Sequence, residues 1–586
     1  MTRRRRLPLL LAALFGLALL LVSCATIPTQ TDPLPLPFGN GQSATAPVPQ
    51  PPSGDNPFDL VRDWMRSAGN PVGKHAAARA YLSNSSKAGW NDALSLTIID
   101  DLFVTDPGPP IEGHSGDEQT VIVRGHTIGL LGADNGFQPE SSSLVMSIDV
   151  AKQPDGSWRI TTPPDGVVMT QSEFALYYRP VKVYFFDPFY GALVPDLRYI
   201  ATDPQSDEPA RVMDLLFSGP SNAMANAVRT AIPNQVTTRT IPAENTSDGS
   251  IEVNLANLPD DETEHNKQLI IAQIVMSLHE VSSSPVVVES DGVSLAGHAK
   301  WVAADLPSYN ATTTPNAGQP GLIAAHGKLV SLKDGSPVAG DAGDGSYQVI
   351  TGAQSEDGSE LALVCSAPNG QEQLRVGGYG KSDAVVELSA TQLTRPTWAP
   401  GDAAGDPSKE VWTVVDGQSV VRVLNTQQNT WIANNVDASA LVTFGQLTDL
   451  RLSRDGTRVA AIAGGHLLVG AVVADPQGSV TIKQVTMLQA AAITNAVSVD
   501  WLDQTTLAVA TSQPNLPVVS VSVDGLTLNK YAANLTVPTS ITAAEARPVV
   551  VADSAGIWQT SDSSDLWEAM VPQHDPGSPA IPFYPG

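Results

Sequence analysis

Two stretches set the frame: Ser355-Glu-Asp357-Gly358-Ser-Glu-Leu361-Ala362 and Ser453-Arg-Asp455-Gly456-Thr-Arg-Val459-Ala460. Each puts an Asp-Gly turn directly ahead of a strand of small and branched residues, which is the order of a tight hairpin. Weaker copies carry a tryptophan in the incoming strand: Thr397-Trp398 leads to Val411-Trp412, and Asp500-Trp501-Leu502 leads to Leu507-Ala508-Val509. The copies recur every roughly forty to fifty-five residues, a length at which one repeat is a four-stranded propeller blade. From about Gly321 to Trp567 the chain reads as short β-rich runs with little helical periodicity. A β-propeller of five or six blades, more if some are degenerate, is expected over 321–580, with a β-sandwich pair as the alternative.

Upstream the texture changes. Between about Ser172 and Asp305, Val181, Val183 and Phe185 form a strand that ends at Asp187-Pro188, and Leu193 to Ile200 returns as another. Glu208-Pro209 opens a helix whose Val212, Met213, Leu216 and Phe217 face inward, and Gly219-Pro220 stops it. Leu269, Ala272, Val275, Met276 and Leu278 share one face of a second helix, ahead of the strand Val286-Val287-Val288. Both helices read as cover over a small sheet. A unit over 57–168 begins with helical spacing at Phe58, Val61, Trp64 and Met65 and a second helical stretch from Ala76 to Leu82. It then shifts to period two at Leu94, Leu96 and Ile98 and at Leu144, Met146, Ile148 and Val150. The Asp155-Gly156 hairpin turn precedes Trp158 and Ile160. Helices followed by an antiparallel sheet suggest an α+β cone of the NTF2-like kind.

At the N-terminus, Arg3 to Arg6 precede an apolar run from Leu7 to Val22, the basic and hydrophobic regions of a signal peptide. The run is shorter than the roughly 20 residues of a permanent membrane helix. It ends at Leu21-Val22-Ser23-Cys24, which resembles a bacterial lipobox, with cleavage between Ser23 and Cys24 and lipid on the Cys24 sulfur. Residues 1–23 are then a lipoprotein signal peptide. Residues 24–56, carrying Pro28, Pro33, Pro35, Pro37, Pro47, Pro49, Pro51 and Pro52, form an extended tether. The expected location is the extracytoplasmic face of the cell membrane.

Composition narrows the function classes. With 33 basic and 60 acidic residues the net charge is −27, and removal of residues 1–23 leaves 29 basic against 60 acidic, or −31. Such a surface repels phosphate backbones, so nucleic acid is not an expected partner. The chain has two cysteines; with Cys24 acylated, Cys365 reads as a small buried hydrophobe in the strand-like Glu360–Ser366 run. Enzyme motifs fail on inspection. Gly377-Gly-Tyr-Gly380-Lys381-Ser382 has Arg375 where a phosphate-binding loop needs glycine, and His279-Glu280 has Ser283 where a zinc protease needs its second histidine. No Gly-x-Ser-x-Gly elbow occurs. Asp100-Asp101 and Asp260-Asp261 read as loop ends or helix caps. No catalytic residue, cofactor or metal ligand is assigned.

Several motifs carry a family resemblance: Leu21 to Cys24, Ala78-Arg-Ala-Tyr81-Leu82 leading to Trp90, Gly191-Ala-Leu-Val-Pro195-Asp-Leu-Arg198 after Val181 to Asp187, Leu215-Leu-Phe-Ser-Gly219-Pro220, and Thr230-Ala-Ile-Pro233. In this order the chain resembles the LpqB family of actinobacterial lipoproteins, and 172–305 is similar to the GerMN domain. The resemblance implies a non-enzymatic accessory of an MtrA–MtrB two-component system that contacts the extracellular domain of the MtrB-like sensor kinase in envelope homeostasis and cell division. A peptidoglycan or glycan binder is the second expectation. An envelope hydrolase, motivated only by the supply of carboxylates, is the third.

Overall fold

The computed structural model describes residues 51 and 56–586, apart from 111–115, 189–190, 245–246, 307–308, 310–317, 382, 402–407, 427–429 and 571–579. The signal segment 1–23, Ser23, Cys24 and the tether except Pro51 and Asn56 lie outside the described residues.

The repeated Asp-Gly turns build the second half of the chain. Ser355 and Ser453 each donate a hydroxyl hydrogen bond of 2.6 Å to the aspartate two positions on. Each serine oxygen in turn accepts the amide five positions on, at 2.9 Å from Glu360 and 3.0 Å from Arg458. Every turn therefore closes one hairpin between the first two strands of a blade. Blade 1 comprises Val349–Gln354, Glu360–Ser366, Glu372–Gly378 and Ala384–Ala390; blade 2, Thr397–Trp398, Glu410–Val415, Ser419–Asn425 and Trp431–Val436. Blade 3 comprises Leu447–Leu452, Arg458–Ala463, His466–Ala474 and Val480–Met487; blade 4, Ala496–Trp501, Thr506–Thr511, Val518–Ser522 and Leu528–Lys530. Blade 5 comprises Pro538–Thr542, Val549–Asp553, Gly556–Thr560 and Glu568–Ala569. Blade 6 is assembled from both ends of this half, because Ala580–Phe583 pairs antiparallel with Leu322–Ala325, which pairs with Lys328–Ser331. The first strands of blades 1 to 5 and Ala580–Phe583 touch in cyclic order, so six sheets close a ring and the C-terminal strand locks it.

The tryptophans of the incoming strands tie each blade to the one before it. Trp398 donates its indole N–H to the Ala353 carbonyl and Trp501 to the Arg451 carbonyl, both at 3.3 Å. A third Ser-x-Asp-Gly turn, Ser522-Val523-Asp524-Gly525, joins the third and fourth strands of blade 4 with the same bonding, Ser522 Oγ donating to Asp524.

In the middle unit, the hairpin Tyr178–Phe186 and Leu193–Ala201 stands beside a four-stranded sheet in the order Val293–Ser294, Val286–Ser290, Ile251–Ala256, Thr237–Thr238. The helix Glu208–Ser218 keeps Val212, Met213 and Leu216 buried, while Phe217 is half-buried, and it ends at Gly219, whose φ of +86° glycine adopts without steric cost. The helix Glu264–His279 departs from expectation. It is buried on every side from Leu269 to Leu278, because it packs between the hairpin, the first helix and the strand Val286–Ser290. Its two polar residues there satisfy the open edge of the hairpin: Tyr184 N–H donates to Ser277 Oγ at 2.9 Å, and Gln273 Nε2 donates to the Tyr184 carbonyl at 3.0 Å.

The N-terminal unit packs helices Pro57–Ala68, Val72–Arg79 and Asn84–Gly89 beside a six-stranded sheet. Asn56 caps the first helix by accepting from Phe58 N and Asp59 N. Two long strands, Glu118–Leu131 and Phe137–Lys152, pair along their length as a hairpin arm of this sheet. Asp155-Gly156 lies in the turn between Phe137–Lys152 and Trp158–Thr162.

Candidate functional site

The tip of that arm is where the three units meet. Its turn, Gly132 to Gly136, holds Asn135 at a φ of +59°, a conformation asparagine tolerates better than most residues. Asn135 and Tyr199 bond through both backbone and side chain: Tyr199 N–H donates to the Asn135 carbonyl at 2.9 Å and Asn135 Nδ2 donates to the Tyr199 carbonyl at 2.8 Å. Beside them Arg198, completely buried, donates to the Asp134 carbonyl, to Asp196 at 2.7 Å and to the Gly219 carbonyl at 2.9 Å. Asp196 completes its bonding with the amide and hydroxyl of Ser221, at 2.7 and 2.8 Å. A charge buried this deeply persists only when paired and hydrogen-bonded, and Asp196 supplies both.

The propeller joins through blade 4. Tyr199 Oη donates to Asp524 at 2.7 Å, and Gln171 Nε2 donates to the Leu526 carbonyl at 3.3 Å. Leu526 and Tyr199 belong to the same apolar cluster as Phe174 and the N-terminal core residues Trp64 and Ile98. The N-terminal core thus reaches Tyr199 of the hairpin and Leu526 of blade 4, beside the separate cores of the middle unit and the blades. Burial pushes the Asp524 carboxyl up, against the bonds it accepts from Ser522, Tyr199 and Leu526; burial, with Asp524 beside it, also raises the Tyr199 phenol.

Along the propeller axis, polar side chains replace an open channel wall. Asp500 accepts from Arg395 Nη2 and Thr542 Oγ1, both at 2.8 Å, and from Ala543 N at 3.2 Å. Burial works to raise its carboxyl, but Arg395, Arg451 and Arg454 outweigh that and hold it below its usual value. Asp449 accepts from Arg451 at 3.0 Å and, across to blade 4, from Ser498 Oγ at 2.9 Å. Burial and then the neighbouring Arg395 bring Arg451 down to about 10, with Asp449 and Asp500 opposing.

The residues singled out in the sequence fall into place separately rather than together. Cys365 is buried in blade 1 and burial pushes its thiol up to about 12, far from a reactive thiolate. Asp101 accepts from Ser172 N at 3.0 Å and Oγ at 2.8 Å, and Asp100 from Leu102 N at 2.9 Å. Asp260 and Asp261 are exposed. The Glu280 carboxylate accepts from the Tyr184 hydroxyl at 3.3 Å. Gly377 and Gly378 end the third strand of blade 1. Among the described residues, no group of three or more His, Cys, Asp or Glu side chains could hold a metal ion, and no helix is long and apolar enough to cross a membrane. Sequence reasoning missed Asp134, Tyr199 and Asp524; Arg198 was visible only as the end of a motif.

Three family models match in chain order. The lipoprotein LpqB N-terminal domain covers 50–175, a sporulation and spore germination (Germane) model 182–296, and the lipoprotein LpqB β-propeller domain 327–582. Lipoprotein LpqB of Rhodococcus jostii is 31% identical over 616 residues, covering 100% of both chains. The chain belongs to the lipoprotein LpqB family. Lipoprotein LpqB of Rhodococcus opacus is 31% identical, covering 96% of this chain and 95% of its own, and that of Mycolicibacterium smegmatis is 29% identical, covering 99% and 100%. The family name makes this an envelope lipoprotein.

Proposed function

We propose that the chain is a non-enzymatic accessory of an MtrA–MtrB type two-component system, held by lipid on Cys24 at the extracytoplasmic face of the cell membrane and docking the extracellular domain of the sensor kinase. Cleavage between Ser23 and Cys24 removes 1–23 and leaves 24–56 as the tether. The observation that carries the reading is full-length similarity to lipoproteins LpqB combined with the lipobox-like Leu21-Val22-Ser23-Cys24. The physical case is one of confinement. A tethered body samples a thin layer beside the membrane, which raises its effective concentration against a membrane-embedded partner without any new contact. The polar-filled propeller axis suits a rigid docking body, whose surface loses little conformational entropy on binding. The N-terminal unit, 57–168, is taken as the NTF2-like cone, the middle unit, 172–305, as GerMN-like, and 321–580 as the docking propeller.

The test uses the full chain in membranes. Cys24→Ser is expected to move it from the membrane fraction to the soluble extracytoplasmic fraction, and mass spectrometry to find acyl mass on residue 24 of the wild type. Wild-type chain in vesicles should co-float with the sensor's extracellular domain. Unmodified Cys24 with residues 1–23 still attached, or no capture of that domain at vesicle-surface concentrations, overturns the reading.

A further inference from the structure

A cavity of about 360 Å³ opens at the seam. All three units contribute: Asp134 and Phe137 from the arm, Asp196 and Met224 from the middle unit, Arg458 and Asp524 from the propeller. Interfaces between units are common places for small-molecule sites. Arg458 is 3% exposed. Its side chain donates through Nη2 to Asp455 and to the Gln504 carbonyl; Nε is sealed from solvent, while Nη1 donates to no protein group among the described residues. A guanidinium edge at the cavity wall is therefore left with donor capacity. Gln484 also lines the space, on a bulge where two residues of the fourth strand of blade 3 face Gly470. Its φ of +52° is strained for a side chain of that size, the kind of cost that gathers at binding sites.

The charges decide the class of ligand. Arg458 is answered by Asp455 and Asp196 by Arg198. Asp134 and Asp524 are held by neutral donors: the amides of Gly136 and Asn222 for the first, the hydroxyls of Ser522 and Tyr199 and the Leu526 amide for the second. Each carboxylate oxygen has two lone pairs, so both retain acceptor capacity. An anion would meet these carboxylates, and a cation would meet Arg458. A hydroxyl group both donates and accepts, so neighbouring hydroxyls satisfy a donor-only guanidinium and acceptor-only carboxylates at once. Phe137, Met224 and Val485 add an apolar wall for the C–H face of a ring. We propose that the cavity binds a neutral saccharide of one or two sugar units, independently of the anchoring and kinase reading.

The experiment is thermal unfolding of the full chain in detergent with maltose, N,N′-diacetylchitobiose, inorganic phosphate or spermidine. Sugars also raise unfolding temperatures by exclusion from the surface, so the readout is the difference from a blocked variant. Ala223 is exposed at the cavity rim, and Ala223→Trp fills the entrance without touching a core. At a concentration about ten times Kd, at least one sugar should raise the midpoint of the wild type by about 1–3 °C more than that of Ala223→Trp. Arg458→Gln should abolish the same increment. If Arg458→Gln does not fold, Ala223→Trp decides alone. An equal rise in Ala223→Trp, no rise with either sugar, or a rise with phosphate or spermidine in their place overturns the proposal.

Discussion

The propeller axis and the three-unit seam both bury arginine against aspartate, yet they do so on different plans. On the axis, Asp449 and Asp500 each accept from an arginine and also from a hydroxyl and an amide of the next blade. The bonding passes from blade 3 through blade 4 to blade 5, with Arg395 reaching in from the segment before blade 2, so several pairs share this side of the closure. At the seam, Arg198 and Asp196 lie two residues apart on one strand; Asn222–Met224 packs on blade 3, and the hydrogen bonds to blade 4 are those of Tyr199 with Asp524 and Gln171 with Leu526. Buried ion pairs add little net stability compared with apolar packing, but losing one partner leaves a charge stranded. The axis is thus costly to damage anywhere, whereas the seam can be loosened at one bond while each unit keeps its own core.

The largest expected effect falls on the axis. Asp500→Ala removes the acceptor for Arg395, Thr542 and Ala543 and strands cations in a dry interior. A loss of about 3–5 kcal/mol is expected, measured by urea unfolding followed through tryptophan fluorescence. Asp500→Asn, which keeps the shape, should fall between. A loss below about 1 kcal/mol would mean that apolar blade faces close the ring by themselves, and the contrast with the seam would fail.

Next comes a pH effect at the axis mouth. Glu356 and Arg454 occupy the same position in the two turns that begin the sequence reading. Burial pushes the Glu356 carboxyl up to about 7, with Arg454 opposing. Because the folded value lies above the usual 4.5, the unfolded chain releases this proton first as pH rises. This group therefore costs stability progressively between about pH 4.5 and 7, and the cost is constant above that. Glu356→Gln should match the wild type near pH 4 and exceed it by about 2 kcal/mol at pH 7.5, allowing for water at its open side. Parallel stability curves for the two proteins would place the carboxyl in solvent.

What could be read in advance follows the same division. Asp357-Gly358 and Asp455-Gly456 were legible because an Asp-Gly turn and the strand after it are local chemistry, and the tryptophans mark incoming strands for the same reason. The third copy at Ser522 escaped notice because it joins the outer strands, and Leu526-Thr527 does not open a branched run. Ala580–Phe583 is four residues containing Pro582, and only its distant partner Leu322–Ala325 makes it a closing strand. In the helix Glu264–His279 the apolar spacing marked one face, Leu269, Ala272, Val275, Met276 and Leu278; Gln273 and Ser277 are buried as well, bonded to the backbone of Tyr184 on the hairpin, a distant partner that the helix's own sequence does not name. Asp134 and Asp524 are each ordinary turn aspartates in sequence, and nothing local says that their turns meet.

The smallest effect tests the seam itself. Tyr199→Phe removes one hydroxyl that donates to a carboxylate, while Asp524 keeps Ser522 and the Leu526 amide. The ring still fills its place beside Phe174, at a centroid distance of 5.1 Å. The expected cost is about 1.5 kcal/mol, the low end of the range for a hydrogen bond to a charged group. Its location matters more than its size. Hydrogen exchange should quicken at the Tyr199 and Asn222 amides, which bond to Asn135 and Asp134, and stay unchanged at the Gly352 and Ala362 amides in blade 1. Local opening of this kind reports a weakly held junction between intact cores. If exchange instead rises equally in blade 1, the seam and the axis form a single cooperative structure, and the distinction between a redundant ring and a narrow latch is lost.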